Sequence, residues 1–91
     1  MIESSLPGAD LVERGLADLA SGVESNAALL VLIGAPRLRR LGVEVPRTGV
    51  VRPEHRLYER LAAEEGDDAH SRYNALVRRL VSFERALACV R

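Results

Sequence analysis

Five arginines, Arg37, Arg39, Arg40, Arg47 and Arg52, fall in one short stretch of this chain. Each planar guanidinium offers paired donors that match the oxygens of a phosphate or carboxylate, so the cluster is a candidate anion-binding set. Nucleic acid is a partner to weigh and then to discount. No aromatic residue is interleaved with these arginines to stack on a base, and the formal charge of the chain is zero rather than basic.

Catalytic chemistry finds less support. His55 and Glu59 are four residues apart, as are His70 and Asn74, so each pair would share a helix face and form an orienting hydrogen bond. Neither pair comes with a nucleophile or with further ligands that would converge on a metal. Cys89, placed near a helix C-terminus, lacks the positive field that favours a thiolate. The sequence predicts a non-enzyme with neither a catalytic nor a metal site, and no cofactor.

The stretch Leu16-Ala17-Asp18-Leu19-Ala20-Ser21-Gly22-Val23 resembles the turn of helix-turn-helix DNA-binding domains, in which a Leu-Ala pair precedes a Gly-Val turn. That resemblance would imply a recognition helix at Ala27 to Ile33. Here the Gly falls one place late, and the segment offers no side chain able to read a base edge. The sequence therefore assigns no DNA-binding role to it.

The elements that would carry these residues read as helices. Ala69, Tyr73, Leu76, Leu80, Phe83, Leu87 and Val90 alternate at spacings of four and three, a heptad seam that predicts a long C-terminal helix over 68–90. Asp10 with Glu13 has capping-box spacing and opens an amphipathic helix over 10–21. Ser21 with Glu24 repeats that spacing before a second helix over 23–33, whose core Ala27 to Ile33 is apolar on every side. Gly34 and Pro36 are expected to end it. Pro53 suits the first turn of a helix over 53–65, and Asp67 or Asp68 would cap the seam helix beyond Gly66. Between them, Val43, Val45, Val50 and Val51 flank Pro46-Arg47-Thr48-Gly49 and read either as a short hairpin or as an irregular arm pinned by its valines. The expected fold is all-α: one domain over 1–91, a small four-helix bundle-like unit with a long last helix and a valine-rich arm between helices 2 and 3.

Composition agrees with that class. The core must come from aliphatic residues, because hydrophobics make up 47% of the chain and aromatics 3% (Tyr58, Tyr73 and Phe83). All 13 cationic residues are Arg. Charge runs in blocks of −4 over 1–35, +4 over 36–60, −4 over 61–71 and +4 over 72–91, which can complement each other within the fold or between two copies. Arg79 and Glu84 flank the seam at a spacing suited to interchain ion pairs in a parallel coil. A single Cys89 excludes an internal disulfide, and the longest apolar run is too short for a signal core or a membrane span, so the cytoplasm is the expected setting.

The function expected from these features is a protein–protein interaction or oligomerisation module. Its partner is itself, as a homodimer, or another protein. The candidate interface is Leu29, Leu32, Leu80, Phe83, Leu87 and Val90, on the apolar second helix and the distal seam. The alternative is an accessory protein that binds an anion or nucleic acid through the arginine cluster at 37–52.

Overall fold

The computed structural model of the chain describes residues 5–90. Four α-helices, α1 (Ala9–Ala20), α2 (Asn26–Arg40), α3 (Pro53–Glu65) and α4 (Ala69–Val90), are joined by short turns, by an irregular arm over 41–52 and by one 3-10 turn at Gly66–Asp68. The protein is all-helical, with no strand among the described residues. No helix among these residues is long and apolar enough to cross a membrane.

α2 is the centre of the packing. It contacts α1, α3 and α4, whereas α1 and α3 do not meet. Ala27 to Val31 are all buried, as expected of a helix apolar on every side, and the cover is supplied by the chain's own helices. α4 buries Ala69, Leu76, Leu80, Phe83 and Leu87 of its seam, while Val90 remains 61% exposed. The distal seam lies beyond the reach of the shorter α3 and closes instead on α2 and the start of α1. Both approaches are close because the facing residues are glycines. A Cβ on Gly8 would lie 2.6 Å from the Arg79 carbonyl oxygen, and one on Gly34 would lie 3.0 Å from the Leu80 methyls.

Several boundaries differ from the sequence reading. α2 runs through Gly34 and Pro36 to Arg40. Pro36 is exposed and costs one backbone hydrogen bond, while the extra turn places Ala35 and Leu38 in the core. The N-cap of α2 is Ser25, whose hydroxyl accepts from the Ala28 amide at 3.0 Å and donates to Asp18 Oδ2 at 2.6 Å. The expected Ser21–Glu24 box does not form. α1 is capped by Gly8 without a side-chain hydrogen bond, and Asp10, the expected cap, bonds Arg79 instead. Asp67 and Asp68 belong to the 3-10 turn.

The stops are better marked than the starts. After α1, Val23 and Gly22 donate to the carbonyls of Asp18 and Leu19; after α2, Val43 and Gly42 donate to Leu38 and Arg39. Both are paired C-terminal closures with a left-handed glycine, at φ 73° for Gly22 and 91° for Gly42, which a side chain would disfavour. The hairpin reading of 42–52 is overturned and the irregular arm stands: Val43 and Val45 are buried, and Val50 is partly buried against the core. No ladder forms, because Val45's carbonyl is taken by Arg39 Nη2 at 3.0 Å and the Val50 amide by the Thr48 hydroxyl at 3.2 Å.

Candidate functional site

The arginine cluster does not converge as a unit. Arg39 is an internal strut that ties the C-terminal turn of α2 to the arm through Val45. Arg47 and Arg52 are exposed on the arm, and Arg52 is the N-cap of α3 with a left-handed φ of 56°. Arg37 and Arg40 lie on the outer face of α2, where they meet Arg85 of α4 across a cavity of about 300 Å³. Arg85 was missed by the sequence reading, because on α4 alone it falls on the face opposite the seam.

Glu84, expected on the flank of the seam, is buried instead. It is 5% exposed, seated at the crossing of α4 over Gly34, and its Oε1 accepts from Arg37 Nη1 at a long 3.4 Å. Burial raises its pKa above the usual carboxyl value of 4.5, against the opposing pull of the Arg37 charge and hydrogen bond. The sequence signal for this burial was Gly34, a small residue in an apolar helix that admits a facing side chain.

The candidate interface is mostly consumed by the fold. Leu29, Leu80, Phe83 and Leu87 are each 3% exposed or less, so they cannot serve as a contact surface while the chain is folded. Leu32 is partly buried and Val90 is open. The interchain pair of Arg79 and Glu84 is likewise pre-empted. Arg79 Nη2 bonds both carboxylate oxygens of Asp10, at 2.9 and 3.1 Å, and Glu84 faces Arg37.

A different apolar surface emerges where α1, α2 and the arm meet. Leu19, Val23, Ala28, Leu29, Leu32 and Val50 line an open groove of about 210 Å³. Val23 is 50% exposed on its rim, and Val51, next in the arm, is 78% exposed. Comparison with protein-family models, curated proteins and solved structures finds no match.

The charged network around the groove is internal. Glu24 accepts from Arg56 Nε and Nη2 at 2.7 and 2.9 Å, which holds its carboxyl below the usual value, and Arg60 Nε donates to Asn26 Oδ1 at 2.9 Å. These contacts fasten α3 to the start of α2. The helix-turn-helix likeness of residues 16–23 leads into a helix whose first turns are buried, which leaves it no face for a DNA groove. His55 and Glu59 lie 3.6 Å apart, and His70 Nε2 and Asn74 Nδ2 are at 3.2 Å; both are surface pairs outside the cavities described. Cys89 is exposed. Among the described residues no three His, Cys, Asp or Glu side chains group as metal ligands.

Proposed function

We propose that this chain is a small protein-interaction module that pairs with a second copy of itself through the groove face, a binding protein rather than an enzyme. The observation that carries the reading is the exposure of Val23 on the rim of a groove lined by the partly buried Leu19, Leu32 and Val50, with exposed Val51 next to Val50 in the arm. An exposed valine on the rim of a recess suits a two-fold contact, in which Val23 of one protomer enters the recess of the other and the reverse. Zero net charge leaves no long-range repulsion between copies. In this reading the domain is a four-helix bundle-like scaffold with α2 as its central member. A reducing cytoplasm is its natural setting, since Cys89 has no second cysteine to pair with.

The test is solution mass by light scattering over a concentration series, for the native chain and for Val51→Asp and Val23→Asp. The reading expects a reversible dimer that both substitutions convert to monomer without lowering the melting temperature appreciably, because both side chains are exposed. A native chain that stays monomeric at high micromolar concentration overturns it.

A further inference from the structure

Another recess lies toward the C-terminal end of α2, past the residues that line the groove. Two cavities, of about 280 and 300 Å³, adjoin between the C-terminal half of α2 and the last turns of α4, and both are lined by Arg37, Arg40 and Glu84. Arg85 and the apolar surfaces of Leu41 and Ala88 complete the second.

We propose that this cleft is a binding site for a small amphiphilic organic anion, with a phosphate or carboxylate head held by Arg37, Arg40 and Arg85 and a short apolar body lying on Leu41 and Ala88.

Three observations carry the inference. First, these guanidinium groups are less committed than others in the chain. Arg56 and Arg79 each bond both oxygens of a carboxylate, and Arg39 is held by Val45. Among the described residues, Arg40 and Arg85 have no carboxylate within 4.0 Å. Second, the usual structural reason for basic residues in the last turn of a helix is weakened here. The final carbonyls of α2 are already closed by the amides of Leu41, Gly42 and Val43, and none of the three arginines donates to them. Third, a carboxylate already occupies the back of the cleft. Glu84 Oε1 sits at 3.4 Å from Arg37, too long for a strong charge-assisted bond, so Arg37, 64% exposed, keeps most of its donors for a second anion.

Arginines drawn from two helices border the head-group position, and the apolar floor distinguishes an amphiphile from a bare ion. The site has no aromatic wall, so stacking of a base is not among its means. Glu84 acts as a built-in competitor, and its removal strengthens binding. The site is independent of the dimer face and would persist in a monomer.

The experiment is amide chemical-shift titration of the full isotope-labelled chain with hexyl phosphate, hexanoate and inorganic phosphate as probes. Saturable shifts centred on Arg37, Arg40, Leu41, Arg85 and Ala88 are expected with at least one hexyl probe. That probe should bind tenfold or more tighter than inorganic phosphate. A chain with Arg40→Ala and Arg85→Ala, both at exposed positions, should keep its helical spectrum and lose binding at least tenfold, while Glu84→Gln gains severalfold. Shifts that never saturate, a double variant that binds as well as the native chain, or inorganic phosphate binding as tightly as the hexyl probes would each overturn the proposal.

Discussion

Glu84 of α4 lies directly against Gly34 of α2, with its Oε2 2.9 Å from the point to which a Cβ on Gly34 would project. The pair explains two oddities at once. A glycine persists inside a helix that needs no break there, and an acid is buried in a core of aliphatic residues. Absence of a side chain on α2 makes the space, and the carboxylate fills it while reaching Arg37 at the edge. The cost of taking the charge out of water exceeds what one long contact returns.

That balance sets a pH dependence with a definite sign. Because the folded pKa of Glu84 is raised above 4.5, folding favours its protonated form. Its stabilising contribution is present below 4.5 and is lost as pH rises through the raised folded value. Glu84→Gln should therefore be at least as stable as the native chain at neutral pH, an advantage that fades on acidification below 4.5. Thermal melts of both proteins from pH 3.5 to 7.5 check this. A variant clearly less stable at pH 7 would contradict it.

Asp10 and Glu24 run the other way. Hydrogen bonds from Arg79 and Arg56 lower their folded values below 3.8 and 4.5, so their contributions are present above those values and lost as pH falls through the folded ones. Acid unfolding should begin earlier in Arg56→Gln than in the native chain, and the difference between the two should shrink in high salt.

Glycine 15 should tolerate a methyl group less well than glycine 34. A Cβ on Gly15 would strike the Ala27 carbonyl oxygen and lie 2.5 Å from a Val31 methyl, and backbone cannot swing aside. At Gly34 the obstacles are the ends of Leu80 and Glu84, which can. Gly15→Ala should cost roughly 1–3 kcal/mol from overpacking. In Gly34→Ala the gain in helix propensity, about 1 kcal/mol, offsets much of the crowding. Urea unfolding of both variants gives the ranking.

Ser25 is the hinge of the α1–α2 turn, accepting from Ala28 and donating to Asp18. Ser25→Ala should destabilise the domain by about 0.5–2 kcal/mol, the range for a lost N-cap. Ser25→Asp should recover little. It restores the cap acceptor but sets a second negative charge against Asp18.

Arg39→Ala should act locally. Without the bond to the Val45 carbonyl, amide exchange should accelerate over residues 43–50 while the core of α2 keeps its protection. Uniform acceleration throughout the chain would assign Arg39 a global role instead.

The sequence exposed the helices through two kinds of pattern. The heptad seam and the apolar run at 27–33 are strong periodic signals, and Pro53 and Gly66 bracket α3 at its observed limits. Local punctuation misled where tertiary packing overrode it. Gly34 and Pro36 read as a stop, yet Ala35 and Leu38 hold the helix together across them by burying their side chains. Capping boxes at Asp10 and Ser21 matched in spacing but lost to Gly8 and Ser25. The candidate sites fared worse for a simple reason. Whether Leu29 or Phe83 faces solvent, and whether Arg85 meets Arg40, depends on how helices cross, and crossings are fixed by residues far apart in the chain. Arg39 was read with its neighbours as a ligand group although one residue of helical rotation turns it toward the arm.

The convergence of every helix on α2 bears on how the chain can be divided. Cleavage between Pro46 and Gly49 leaves α1 and α2 on one fragment and the α3–α4 hairpin on the other. Since α2 supplies the wall that the distal seam lacks, neither fragment holds a closed core. Mixed together they should reassemble, with helicity regained only in stoichiometric mixture, so that the protein behaves as a two-piece complementation system keyed to its central helix.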